Sequence, residues 1–122
     1  MDAASWKMLV RFATRAQMEA WIEARPHDAA AVGRFLMLRY ADLCDGNPLP
    51  HDLQLAILEG VHNREKRDVL ELLRTAVQWK DKGELEDAVD ICREAVQNDP
   101  GLLWSRKLLR ELEAKQIGRA HV

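Results

Sequence analysis

Apolar side chains recur at every third or fourth position along almost the whole chain, and no segment alternates strictly between apolar and polar residues. The first pattern is that of an amphipathic α-helix, whereas strict alternation is the pattern of a half-buried strand. The sequence therefore predicts an all-α fold of about six helices.

Residues 1–62 are expected to hold three helices and one Pro-rich loop. Glycine, asparagine and two prolines in residues 45–51 cannot continue a helix. The first helix should bury a face that includes Trp6, Leu9, Phe12, Ala13, Ala16, Ala20 and Ile22. The predicted helices run from about Ala3 to Ala24, from a capping Asp28 to Leu43 or Cys44, and from Asp52 to Gly60 or His62.

The fourth and fifth predicted helices have clear signals at their ends. Asn63 is a suitable N-cap for the fourth helix, and Lys82-Gly83 ends it with a basic residue and a C-cap glycine. The fifth helix is expected from Glu84 to Asn98, where its apolar spacing stops.

A sixth helix is expected to start at Asp99 and Pro100. Aspartate is a good N-cap, and proline suits the first helical position because its missing N–H has no helical partner there. This helix should fray at Lys115, and its polar outer surface indicates a cap on the fold or the start of a partial repeat.

The last six residues, Ile117 to Val122, resemble a translated sequencing-library adapter. They can be back-translated as ATC GGA AGA GCA CAC GTC followed by the stop codon TGA, and a CAG codon for Gln116 would supply the preceding AG. Such scars are set aside before the fold is considered. We therefore expect residues 116–122 to be a non-native tail, and the natural chain to continue past Lys115.

Composition and charge narrow the class of protein. The chain is 48% hydrophobic and 31% charged, which is typical of a soluble globular domain. Its formal net charge of −2, without a basic stripe, argues against nucleic acid or an anionic membrane as a partner. No leader pattern or long apolar run is present in the sequence, so a cytoplasmic location is expected. Cys44 and Cys92 lie in apolar helical patterns and are interpreted as reduced core thiols.

One stretch of the sequence is similar to a known repeat. Leucine, tryptophan, alanine, glycine and proline residues between Val69 and Leu102 fall at the spacing of a tetratricopeptide repeat, and the stretch resembles one such unit. Thr75 and Cys92 depart from the family pattern. The residues that carry the resemblance are Leu72, Ala76, Trp79, Gly83, Ala88, Ala95, Asp99 and Pro100.

The resemblance implies a short α-solenoid of stacked antiparallel hairpins. Residues 63–115 would form the matched unit and the following helix, and residues 1–62 a degenerate helical region in which Tyr40 and Ala56 take the places of Trp79 and Ala88. Small residues allow two antiparallel helices to pack closely at their crossing.

In this family the first helix of each hairpin lines a concave groove that holds a protein or peptide partner. Lysine and asparagine, which grip a terminal carboxylate in one subgroup, are replaced here by Leu73 and Val77, so that mode is disfavoured. A role for these residues in completing the core stays open. The resemblance places Leu70, Leu73, Arg74, Val77, Lys80 and Asp81 on the groove.

The resemblance predicts a protein–protein interaction scaffold rather than an enzyme. Two alternatives stay open: an accessory helical region of a larger enzyme, and a self-associating structural module that forms homo-oligomers.

The sequence contains only weak indications of a catalytic or metal site. Pro-His-Asp occurs at residues 26–28 and 50–52, where capping of the following helix is the favoured interpretation. The acidic residues of 84–94 lie on the polar side of a predicted helix and favour a plain exterior. We therefore predict no catalytic residue, no cofactor and no metal ligand.

Overall fold

The computed structural model describes residues 2–120 and leaves His121 and Val122, the end of the predicted non-native tail, outside the described residues. Within residues 2–120 the chain forms seven α-helices, one short 3-10 helix and no β-strand, which confirms the all-α prediction. The helices are α1 (Ala3–Phe12), α2 (Arg15–Glu23), α3 (Ala29–Arg39), a 3-10 helix (Ala41–Cys44), α4 (His51–Glu59), α5 (Arg64–Asp81), α6 (Leu85–Asn98) and α7 (Leu103–Ala120).

The first predicted helix is in fact two helices, with a break at Ala13 and Thr14. The Thr14 hydroxyl accepts a hydrogen bond from the backbone N–H of Gln17 at 3.1 Å, and the Gln17 side chain accepts one from the N–H of Thr14 at 2.8 Å. This capping box starts a new helix within a continuous apolar pattern. Four residues expected to be buried are exposed instead: Leu9 and Phe12, by 54% and 75%, and also Ala16 and Ala20.

The second predicted helix also ends earlier than expected. It stops at Arg39, and the chain tightens into the 3-10 helix before Asp45 takes a left-handed conformation with φ of 52°. Asp28 caps its start as predicted, since its carboxylate accepts a hydrogen bond from the N–H of Ala31 at 3.0 Å.

The prediction that Asp99 caps the last helix is wrong. Asp99 is the C-cap of α6, with its N–H bonded to the carbonyl of Ala95 at 3.0 Å, and α7 begins at Leu103 and continues past Lys115. The first turn of α7 is capped from a distance, because the N–H of Trp104 donates to the carboxylate of Asp52 at 2.8 Å.

The end of α5 confirms the sequence prediction in detail. Gly83 has a φ of 80°, which favours glycine, and its N–H donates to the carbonyl of Lys80 at 2.9 Å. The N–H of Glu84 donates to the carbonyl of Trp79 at 3.0 Å, and together the two bonds form a Schellman motif. Since only residues 82–84 join α5 to α6, the two helices fold back on each other as a hairpin with an extensive interface.

Small residues lie in that hairpin as expected. Ala76, Ala88 and Ala95 are fully buried, while Leu72 and Trp79 pack against the core from its edge. The core forms one continuous cluster from Val10 in α1 to Leu112 in α7. Within residues 2–120 no helix has both the length and the apolar character needed to cross a lipid bilayer.

Aromatic rings join α1 and α2 to α3. Trp21 stacks on Phe35 with ring centroids 4.6 Å apart, and Trp6 lies 5.9 Å from Trp21 in a tilted arrangement. Aromatic pairs of this kind add to the stability gained from burial alone. The rings therefore help to position the α1–α2 pair.

A buried charge connects three helices. The guanidinium of Arg39, which is 1% exposed, donates to both carboxylate oxygens of Glu71 in α5 at 2.7 and 3.1 Å. It also donates to the carbonyls of Val10 at 3.2 Å and Ala13 at 2.7 Å, at the end of α1. Burial alone would lower the pKa of Arg39, but the hydrogen bonds and charge of Glu71 outweigh it and raise the pKa. Arg39 therefore remains charged and holds α1, α3 and α5 together.

A second buried arginine lies in the first turn of α5. Arg67 donates to both carboxylate oxygens of Glu19 in α2 at 2.9 and 3.2 Å, and to the carbonyl of Gly60 at the end of α4 at 2.9 Å. Neighbouring Lys66 pairs with Asp99 and, at 3.3 Å, with Glu59. The partners of these cations come from other parts of the fold, so this turn is fixed by contacts outside its own helix.

Replacing Arg39 with alanine should destabilise the protein strongly. The change leaves Glu71 and the α1 carbonyls without their donor, and loss of one partner of a buried pair costs about 3–5 kcal/mol. Urea unfolding followed by circular dichroism measures the free energy of unfolding. Arg93→Ala is the matched control: this arginine is 51% exposed, and its loss should cost less than about 0.5 kcal/mol. Equal costs for the two variants would contradict the role given to Arg39.

The free energy of unfolding should decrease at acidic pH, because protonation of Glu19 removes its ion pair with Arg67. Its hydrogen bonds from Arg67 hold its pKa below the ordinary value of 4.5, against the opposing effect of burial. A carboxylate with a lowered folded-state pKa stabilises the fold above its unfolded pKa, and that contribution is lost as the pH falls through the folded-state pKa.

The free energy of unfolding of Glu19→Gln should therefore depend less on pH below about pH 4.5 than that of the parent protein. Urea titrations at a series of pH values test this, with Glu94→Gln on the exposed face of α6 as control. An unchanged acid dependence in Glu19→Gln would show that another group is responsible.

Candidate binding cleft

The main candidate site is an open cleft of about 580 Å³ at the carboxyl-terminal end of α5. One wall is the last part of α1, the opposite wall is the 3-10 helix with the turn after it, and the floor is α5. We call this feature the α1/α5 cleft. It is lined by Met8, Arg11, Phe12, Arg39, Asp42, Leu43, Asp45, Gly46, Arg74, Val77, Gln78 and Asp81.

Four residues of α5 form one stripe along the floor of the cleft. Arg74 is followed at three, four and seven positions by Val77, Gln78 and Asp81. Residues at these spacings lie on the same face of a helix. Along the helix the accessible members are a cation, an amide and an anion, Arg74, Gln78 and Asp81. Val77 is only 5% exposed, so the surface presented to a ligand is mainly polar.

Most charges around the α1/α5 cleft are already paired. Arg11 forms an ion pair with Asp42, and its hydrogen bond lowers the pKa of that carboxyl. Asp45 lies 3.5 Å from the ammonium of Lys80. These contacts fasten α1 to the 3-10 helix and fasten the turn after it to α5, so both walls are held in place.

Arg74 and Asp81 are different, because neither forms an ion pair within residues 2–120. Arg74 is half-buried, and its guanidinium donates to the carbonyl of Arg11 at the end of α1. Its pKa is lowered by burial and, secondly, by the charge of Arg39. Asp81 is exposed at the other end of the stripe.

The six residues expected on the groove fall into three groups. Arg74, Val77 and Asp81 line the α1/α5 cleft, although Val77 is only 5% exposed and belongs to the core beneath it. Leu70 and Leu73 are fully buried in the core, which is the other role left open for such residues by the sequence. Lys80 lies in a neighbouring hollow between the ends of α5 and α7.

The wall formed by α1 is the part of the site that sequence reasoning missed. Phe12 and Met8 are exposed at the cleft, although Phe12 had been assigned to a buried face. The spacing Thr14-x-x-Gln17 is a capping-box signal that could have located the break and the exposed end of α1.

A second concavity lies between α3 and α4, with a volume of about 690 Å³. Its lining is largely apolar, and Arg34 is the charged residue in it. Leu58 of α4 stands at this α3/α4 hollow with half of its surface exposed. Its lining residues are Ala29, Ala30, Gly33, Arg34, Met37, Leu38, Leu58, Val61 and His62.

The motifs considered for catalysis have structural roles in the fold. Of the two Pro-His-Asp motifs, Asp28 caps α3, whereas Asp52 caps α7 rather than its own helix. All the acidic residues of 84–94 are exposed on the outer face of α6 or at its start. Within residues 2–120 no group of three or more His, Cys, Asp or Glu side chains is arranged to hold a metal ion.

The two cysteines are free thiols; Cys92 lies in the core as expected, whereas Cys44 is only partly buried at its edge. Cys92 is fully buried and donates to the carbonyl of Ser105 at 3.6 Å, and burial raises the pKa of its thiol to about 12. Burial also raises the pKa of Cys44. Since the thiolate is the nucleophile, neither environment activates the sulfur.

Comparison of the chain with protein-family models, with curated proteins and with solved structures gives no significant match.

Proposed function

We propose that this protein is an interaction scaffold of the tetratricopeptide-repeat type, which binds a protein or peptide partner in the α1/α5 cleft. The observation that carries the proposal is the coincidence of two independent features. Residues placed on a groove by the repeat resemblance, Arg74, Val77 and Asp81, line an open cleft with exposed Phe12 at its edge.

The α5–α6 hairpin supports the comparison with the repeat family. Alanines at its interface, a glycine with positive φ in its turn and a closely packed partner helix are features that such a unit requires. The arrangement of α3 and α4 as an earlier, degenerate hairpin of a solenoid belongs to the same proposal.

Phe12 is the natural anchor for a partner. An aromatic ring that is 75% exposed at the edge of a cleft offers a large apolar area for a partner to bury. Arg39 and Arg74 fix the end of α1 through its carbonyls, so the ring is presented from a rigid position. Preorganisation of this kind reduces the entropy lost on binding.

Phe12→Ala should weaken partner binding about tenfold or more, because truncation of an aromatic anchor removes at least about 1.4 kcal/mol. Peptides selected from a random phage-displayed library against the parent protein provide the ligands, and isothermal titration calorimetry gives their Kd. Stability should change little, since the ring is exposed.

Leu103→Ala is the matched control, because this leucine is also exposed but lies at the start of α7, away from the cleft. It should leave the Kd unchanged. Failure to select any peptide, or equal effects of the two substitutions, would overturn the proposal.

Self-association is a second candidate function, favoured by the α3/α4 hollow. Leu58 of α4 is about half exposed at this largely apolar hollow, which a second copy could cover.

If the α3/α4 hollow is a dimer interface, the mass measured by analytical ultracentrifugation should rise with protein concentration, and Leu58→Glu should abolish that rise. Leu103→Glu is the control and should leave it unchanged. A monomer throughout the concentration range would exclude this candidate.

A further inference from the structure

The floor of the α1/α5 cleft carries one cation and one anion that lack ion-pair partners within residues 2–120. They are Arg74 and Asp81, at the two ends of the α5 stripe. The other charged residues that line the cleft, Arg11, Arg39, Asp42 and Asp45, have partners of opposite sign. The pattern left for a ligand is therefore one positive and one negative position.

A ligand charge should bind more strongly to Arg74 than to Asp81, because Arg74 is the more buried of the two. Arg74 is half-buried and donates to a backbone carbonyl, so its positive charge is only partly compensated by the protein. Charge-assisted hydrogen bonds to a carboxylate are among the stronger polar interactions, and a half-buried guanidinium is well suited to make one. Asp81 is exposed, and a cation bound to it would be screened by water.

The distance between these positions restricts the shape of the ligand. Arg74 and Asp81 are seven residues apart on one helix, which corresponds to about 10.5 Å along the axis at 1.5 Å per residue. A polyproline II segment repeats every three residues and rises about 3.1 Å per residue, so side chains three positions apart point the same way about 9.3 Å apart. Long acidic and basic side chains can cover the remaining difference.

An extended segment that spans this distance can place its central side chains against Phe12 and Met8, which are 75% and 51% exposed at the edge of the cleft.

We propose that the α1/α5 cleft selects an extended peptide segment in which an acidic and a basic residue stand three positions apart around an apolar pair. The acidic side chain binds Arg74, the basic side chain binds Asp81, and the apolar pair packs against Phe12 and Met8. This inference rests on the proposed function, since it names the kind of partner that the same cleft accepts.

Three synthetic peptides test the charge pattern: acetyl-Gly-Glu-Pro-Leu-Lys-Gly-amide and its two like-charge analogues, with Glu at both positions or Lys at both. Their Kd values are measured by NMR titration of the isotopically labelled chain at low salt. The mixed-charge peptide should bind about tenfold tighter than the dibasic analogue, which loses the Arg74 contact. It should bind about threefold tighter than the diacidic analogue, which loses the weaker exposed contact.

Asp81→Lys provides the decisive variant, because this residue is exposed and its substitution should not affect folding. The variant should prefer the diacidic peptide over the mixed-charge one, which reverses the order seen with the parent protein. Arg74→Gln should reduce the advantage of the mixed-charge peptide over the dibasic one to less than about threefold. Glu94→Lys on α6 is the control for an added positive charge and should leave the order unchanged.

The results distinguish a failure of the proposed charge pattern from a failure of the proposed binding function. Equal Kd values for the three peptides, or an unchanged order in Asp81→Lys, would overturn the charge pattern. If peptides selected from the library still depend on Phe12 in that case, the cleft remains the binding site and only the ligand class is wrong. If they do not depend on Phe12, both the site and the ligand class fail.

Discussion

The position of α1 depends on one buried guanidinium. Removing a charge from water costs several kcal/mol, and Arg39 recovers this only if its four hydrogen bonds form together. Those bonds require the end of α1, the end of α3 and Glu71 of α5 to meet at one point. A core of leucine and alanine alone would tolerate small shifts of α1, whereas fixed donor and acceptor positions do not.

Arg67 and Arg74 make the same kind of interaction as Arg39, a guanidinium hydrogen bond to a backbone carbonyl, at two other places in the fold. Each donates to a carbonyl at the end of a helix, Gly60 after α4 and Arg11 in α1, where no intrahelical partner exists. Cations are also favoured there by the helix dipole. The α1/α5 cleft is a product of this arrangement, because Arg39 and Arg74 hold its α1 wall in place over the α5 floor.

Features of the fold could be predicted from the sequence where the interacting residues are close together along the chain. The end of α5 was predicted because the glycine at position 83 and its bonding partners are neighbours in sequence. The break at Thr14 was readable in principle but was outweighed by a continuous apolar pattern. The start of α7 was not readable, since Asp52 lies 52 residues from Trp104. The floor of the cleft could be predicted from α5 alone, whereas the wall that carries Phe12 depended on the missed break.

The bond between Arg67 and Glu19 has a consequence for synthesis on the ribosome. The two residues are 48 positions apart, so at about 5–20 residues per second the α2 side of the pair waits several seconds for its partner. During that interval Trp6 and Trp21 can already pack on Phe35 of α3, which leaves the ribosome well before Arg67. The aromatic contacts of α1 and α2 can therefore form before their charged contacts, and Glu19 stays without its cation until the start of α5 has been synthesised.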